Sequence, residues 1–168
     1  MSIAVIAPTP THLPDLLPGA TVSRLTPAIG AEIGGIDLVA DVLEGRPATA
    51  RRAVDLLRGA VARHHMVVLR DQFLTPTQHE RVAMLFGPVS SSPVQLAIGP
   101  ERRPSVTTIE DTAERPPAGF PWHTDVSWSP EPPRLGFLAA VEIPETGGDT
   151  LWPSTAAIYP RLPADVQR

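Results

Sequence analysis

Proline decides where this chain can be regular. Its 21 prolines gather at residues 8–18, 116–121, 130–133 and 153–163, and each ring fixes φ and removes a backbone donor. Most of the chain therefore has little room for long helices, and the pattern reads as rigid loops between short strands. Two stretches read as helical. From Pro47 to Arg63, Val54, Leu57 and Val61 fall on one face with Leu56 and Ala60 beside them. Arg51, Arg52, Arg58 and Arg63 read as its solvated side. His64-His65 closes it, where the helix dipole favours a cation; metal ligation by this pair is the alternative. In the second stretch Thr75 is the N-cap, Pro76 the first helical residue and Gln78 the third, which makes a capping box. That helix should run to Phe86, with Gly87 and Pro88 beyond it and His79 exposed near its start.

The remaining regular structure reads as β. Thr21 to Leu25 alternates as a first strand, and Met66 to Leu69 is a short buried one. Ala28 to Leu38 is rich in glycine but lacks phosphate-loop spacing, so it reads as a turn or bulge. Val94–Ile98 and Ser105–Ile109 are further strand candidates. Leu135 to Val141 is continuously apolar, as in a strand buried on both faces. A tight turn over residues 144–149 leads into Thr150-Leu151-Trp152, and Ser154 caps a short helix reaching Tyr159. Pro163 reads as the start of another helix.

At 168 residues and 42% hydrophobic content the chain suits one globular domain, with residues 1–18 as a flexible arm. A net charge of −4 without a basic run weighs against a nucleic-acid partner. The absence of cysteine removes disulfides, thiolate zinc sites and a thiol nucleophile together. The apolar run Ile3 to Ala7 is too short to cross a membrane, and a cytoplasmic protein is the default expectation. A homo-oligomer is compatible with the sequence.

The chemistry concentrates at Phe120-Pro121-Trp122-His123-Thr124-Asp125-Val126-Ser127-Trp128. Trp122, Val126 and Trp128 argue for a strand, on which residues two apart share a face. His123 and Asp125 then project side by side. An imidazole and a carboxylate so placed form two thirds of the 2-His-1-carboxylate set that holds non-haem Fe(II) with open positions. The same pair also fits a local hydrogen bond or a surface pair.

Several motifs occur in a telling order: Pro27-Ala28-Ile29-Gly30-Ala31, Val67-Val68-Leu69-Arg70-Asp71-Gln72, Phe86-Gly87-Pro88, His123-Thr124-Asp125, Pro132-Pro133 and Gly147-Gly148-Asp149-Thr150-Leu151-Trp152. From about residue 21 onward the chain resembles the taurine/2-oxoglutarate dioxygenase (TauD/TfdA-like) family. The resemblance implies a mainly β domain with flanking helices, built as a double-stranded β-helix of the jelly-roll or cupin kind. It implies Fe(II), with 2-oxoglutarate and O2 as co-substrates, succinate and CO2 as co-products, and oxidation of an unactivated C–H of a small-molecule substrate. His123 and Asp125 match the first two iron ligands. Thr150 matches a residue that hydrogen-bonds the co-substrate carboxylate, and Trp152 lies beside it near the substrate pocket.

Two departures shape the expectation. The family places a second metal histidine, and an arginine that pairs the co-substrate, downstream of Gly-Gly-Asp-Thr. No histidine follows His123 here, and Arg134, Arg161 and Arg168 stand outside the motif position. Residues 19–168 therefore read as the N-terminal portion of such a domain, incomplete at the C-terminus and catalytically silent alone. Ser92 and Gln95 stand where the taurine branch carries a His and a Tyr that hold the sulfonate. That weighs against taurine and toward another small acid, such as a different sulfonate or an alkyl sulfate. Asp125 weighs against a halogenase. The alternatives are a truncated, inactive fragment or a non-catalytic β-sandwich binding protein.

Overall fold

The structure is a computed structural model, and it describes residues 17–89, 106–112, 114 and 122–167. Its regular part is built around a three-stranded mixed sheet in the order β1-β2-β3. Strand β1 (Thr21–Arg24) runs antiparallel to β2 (Ala31–Gly34), with Thr21 opposite Gly34 and Arg24 opposite Ala31. The turn between them is closed by Leu25 N–H donating to Gly30 C=O at 3.0 Å, and the Thr26 hydroxyl accepts from Ile29 N–H at 2.9 Å. The glycine-rich stretch expected to be only a turn or bulge thus contains the central strand. Its glycines punctuate the strand and do not disrupt it. Gly30 and Gly35 sit at either end with φ of +90° and +74°.

Strand β3 (Val67–Val68) pairs with β2 in parallel, Ala31 opposite Val67. A parallel pair cannot be joined by a tight turn, so the chain crosses over through helix. The crossover begins with a π-helical turn, Leu38–Leu43, which the sequence reading did not foresee. Asp37 caps it by accepting from Val39 and Ala40 N–H, each at 2.8 Å. Glu44 N–H closes it on Val39 C=O at 2.9 Å. Helix α1 (Pro47–His64) comes next, with proline in its first turn as expected. It buries Ala53, Val54, Leu56, Leu57 and Ala60 against Ile33, Ile36, Leu38 and Val42. Leu17, from the end of the expected flexible arm, is buried in the same core.

Gln72 ties the two ends of this crossover. Its carboxamide accepts from Leu38 N–H at 2.8 Å and donates to Ile36 C=O at 3.2 Å and Arg70 C=O at 2.8 Å. Helix α2 (Pro76–Met84) carries the full expected capping box. Thr75 Oγ1 accepts from Gln78 N–H at 3.3 Å, and Gln78 Oε1 accepts from Thr75 N–H at 2.9 Å. The helix ends two residues earlier than expected. Leu85 and Phe86 continue as a tightened turn, bonded to Val82 and Ala83 carbonyls. His79 is half-buried rather than exposed.

Downstream, the expected strands do not form among the described residues. Residues 122–128 and 135–141 join no ladder among the described residues, and Ser105–Ile109 forms none over its described part. Strand-like alternation chooses a face, but a strand also needs a neighbour for its N–H and C=O groups. Val126 adopts a φ of +51°, which ends any extended run there. Leu138 and Val141 are 70% and 94% exposed, the opposite of the doubly buried strand expected. The chain closes with α3 (Thr155–Ile158), capped as expected by Ser154, and a single 3-10 turn at Tyr159–Arg161. Pro163 opens one hydrogen-bonded turn, not a helix. The strand candidate Val94–Ile98 lies outside the described residues. Among those residues helix outweighs strand, so the expected mainly β character is not seen in this part of the chain.

His64 departs from its expected role as a cation at the helix end. It is 8% exposed, and its pKa is lowered from 6.5, first by desolvation, then by Arg63, Arg24 and His65. Its carbonyl accepts from Gly30 N–H at 2.8 Å, which ties the helix end to the sheet. His65 takes the left-handed cap conformation instead, with φ of +67°.

These contacts set two expected stability outcomes. A Cβ on Gly35 would stand 2.1 Å from Gly19 C=O, in a backbone conformation that side chains rarely adopt. Gly35→Ala should therefore cost about 3 kcal/mol or more in urea unfolding, whereas Gly136→Ala, with open space around it, should cost under about 1 kcal/mol. For His64, the unfolded chain binds a proton near pH 6.5 and the folded chain only at lower pH. Stability is thus complete above about pH 6.5 and declines as pH falls below it. His64→Gln should flatten that decline between pH 7.5 and 5.5; an unchanged slope would remove His64 as its source.

Candidate metal and co-substrate site

His123 and Asp125 meet in the structure, although not on a strand. Their side chains lie side by side at the surface, with His123 Nε2 3.2 Å from Asp125 Oδ1. The chain enters a turn at Asp125, which runs to Trp128 and is closed by Ser129 N–H donating to Val126 C=O at 3.0 Å. Ser129 Oγ accepts from Glu131 N–H at 3.3 Å and continues the bend into Ser129-Pro130-Glu131. The left-handed conformation at Val126 is costly for a β-branched residue. That strain sits directly beside the carboxylate that meets the imidazole. A two-residue spacing, read as strand geometry, is thus found at the entry to a turn, and the juxtaposition survives the change.

Thr150 and Trp152 lie just beyond the Pro144–Asp149 stretch. Gly147 and Gly148 take φ of +78° and +70°, two successive left-handed residues that only glycine adopts readily. A side chain at position 148 would press on the Pro144 ring at 3.2 Å. The motif's glycines therefore have a backbone reason to be glycine. Thr150 and Trp152 beyond them are both exposed, as are Trp122 and Trp128 beside the His–Asp pair. Ser92 and Gln95, the other residues with an expected substrate role, lie outside the described residues.

An imidazole and a carboxylate are the donor types that suit a non-haem iron, and both stand at the surface within reach of one ion. They supply two donors. Among the described residues no group of three His, Cys, Asp or Glu side chains gathers at one point. The fit is therefore to part of a ligand set.

One further contact escaped the sequence reading. Arg58 is not merely a solvated residue of α1. Its Nη2 donates to Leu85 C=O at 2.9 Å, and its guanidinium lies 5.4 Å from the Phe86 ring centre. Phe86 in turn meets Phe137 with ring centres 5.1 Å apart and planes tilted by 58°. The one available signal was a cation on α1 paired with an aromatic residue at the C-terminal end of α2, and sequence spacing does not join two helices. No helix among the described residues is long and apolar enough to cross a membrane.

Comparison with known proteins gives this geometry its family. The model of the taurine catabolism dioxygenase TauD, TfdA family matches residues 21–168. An alkylsulfatase of Acinetobacter baylyi is 33% identical over 83% of this chain and 41% of its own length. An alpha-ketoglutarate-dependent sulfate ester dioxygenase of Pseudomonas putida is 33% identical over 97% of this chain and 49% of its own. The chain thus spans less than half the length of these two relatives. A crystal structure of a candidate alpha-ketoglutarate-dependent taurine dioxygenase from Burkholderia xenovorans matches with a TM-score of 0.64 and 34% identity, covering 88% of this chain and 50% of that one. The order of motifs from Pro27 to Trp152 and the match over residues 21–168 agree, and the chain belongs to the taurine catabolism dioxygenase TauD, TfdA family.

Proposed function

We propose that this chain contributes part of the iron and co-substrate site of an Fe(II)- and 2-oxoglutarate-dependent dioxygenase that oxidises a C–H bond of a small sulfate ester or sulfonate. The observation that carries the reading is the surface contact of His123 with Asp125, 3.2 Å apart, inside a family motif. Relatives named for alkyl sulfate, sulfate ester and sulfonate chemistry support the substrate class. Ser92, Gln95 and Trp152 are the residues we assign to substrate, and the character of Ser92 and Gln95 favours a sulfate ester or another sulfonate over taurine. The complete domain would be the double-stranded β-helix of the family, to which the described sheet and helices contribute one part.

In this reading His123 and Asp125 hold the iron. The aspartate brings one negative charge to a +2 ion, which leaves the centre attractive to a dianionic co-substrate. When bound, the iron with 2-oxoglutarate and O2 supplies the oxidising power, at the cost of converting the keto acid to succinate and CO2. Thr150 donates a hydrogen bond to a co-substrate carboxylate and orients it. The far carboxylate needs a charged donor, which Thr150 cannot provide. Trp152 covers the substrate side with an apolar ring. Hydroxylation of the carbon bearing a sulfate ester would give a product that falls apart to an aldehyde and sulfate.

Anaerobic titration with Fe(II) tests the first assignment. Loss of a residue that merely orients a ligand costs about 10- to 100-fold in affinity. In the full-length protein the His123→Ala/Asp125→Ala double variant should lose more than that, and succinate formation from an alkyl sulfate should vanish with it. Equal iron affinity in the double variant would return the pair to a simple surface contact and favour the non-catalytic reading. Thr150 is tested separately. Thr150→Val should raise the 2-oxoglutarate concentration needed for half-maximal binding by roughly 2- to 15-fold, the worth of one hydrogen bond, and leave iron affinity nearly intact. An unchanged requirement would remove Thr150 from the site.

A further inference from the structure

We propose that Arg58, Phe86 and Phe137 form a docking joint that seats the site-bearing stretch on the helical layer, which makes Phe137 a positioning residue for the iron site. The joint is built from the core outward. Phe86 packs against the buried cluster that includes Val82 and Leu56. One side of its ring receives the Arg58 guanidinium at 5.4 Å, and Phe137 meets it at 5.1 Å. Arg58 is itself held by Leu85 C=O at 2.9 Å, at the carbonyl end of α2, where a cation is favoured. A planar guanidinium can stack and donate at once, which an ammonium cannot do equally.

Phe137 lies between the two motifs of the site, after His123–Asp125 and before Gly147–Thr150. Its neighbours Leu138 and Val141 are 70% and 94% exposed, whereas Phe137 falls to 38%. No backbone ladder ties residues 122–152 to the sheet among the described residues. The aromatic contact therefore supplies a tether other than a ladder. Tilted ring pairs are directional, so the joint fixes orientation as well as proximity.

The molecule carries its own reporter for this idea. Its three tryptophans, Trp122, Trp128 and Trp152, all lie in the docked stretch, and α1 and α2 contain none. Tryptophan anisotropy thus reads the stretch, while far-ultraviolet circular dichroism reads the helices. Phe137→Ala should lower the anisotropy, leave the helical signal unchanged and weaken Fe(II) binding by about 2- to 12-fold, the worth of an aromatic pair. Phe137→Tyr keeps the ring and should restore both. In a cycle with Phe86→Leu, the second substitution should add little once the first is made. Arg58→Met, which leaves the core untouched, should reproduce the loss of anisotropy from the other side of the joint. Unchanged anisotropy in both Phe137→Ala and Arg58→Met would overturn the docking. Lowered anisotropy with unchanged iron affinity would overturn the positioning role. The iron arm rests on the dioxygenase reading. A wild-type chain that binds no Fe(II) sinks that reading and the positioning role with it, while the anisotropy still decides the docking.

Discussion

Two backbone hydrogen bonds at the start of β2 hold the regular part of the molecule together. Gly30 N–H donates to His64 C=O at 2.8 Å, and Ala31 N–H donates to Met66 C=O at 3.0 Å. They fasten the end of α1 and the entry to β3 onto a strand that is already paired with β1 on its other edge. Everything between must then be a crossover of fixed span, and its apolar face must fall on the sheet. Ala53, Leu56 and Ala60 line that face because two alanines let the helix approach closely while a leucine fills the space between. The strand β3 has only two residues, so the parallel pairing is short, and the Gln72 carboxamide supplements it with three further bonds.

This dependence explains which parts of the structure were legible from sequence. The Thr75–Gln78 capping box and the prolines at 47 and 76 are local instructions, satisfied within a few residues, and the structure obeys them. Strand β2 was hidden because its glycines look like loop signals. They proved to be end markers, and only pairing on both edges reveals the strand. His64 was misassigned because sequence position gives the helix terminus but not the burial that suppresses its charge.

The site shows the same division. The spacing of His123 and Asp125 told correctly that the two side chains meet, and it told wrongly how. A turn and a strand can both juxtapose residues two apart, and alternation of Trp122, Val126 and Trp128 cannot distinguish them. The glycines at 147 and 148 were legible as a turn for a sound reason, since both occupy left-handed conformations. Arg58 was not legible, because its partners Leu85 and Phe86 belong to the turn that ends another helix. Contacts of that kind are set by how elements pack, which one-dimensional periodicity does not encode.

The π-helical turn at Leu38–Leu43 has a bearing on how this chain can change its length. It holds its closing bond across five residues, from Glu44 to Val39, while Leu38 and Val42 point into the core. Deleting one residue there would leave ordinary α-helical winding to span the same two anchors, Asp37 and Glu44. Helix α1 starts afresh at Pro47, after Gly45 and Arg46, so its buried Ala53 and Leu56 would keep their place while the turn itself is pulled. Insertions and deletions usually accumulate harmlessly in surface connections, but this one buries Leu38 and Val42, and a change in its length would shift them off the core. Gains and losses of single residues in the lineage should be purged here and tolerated in the exposed bends further along.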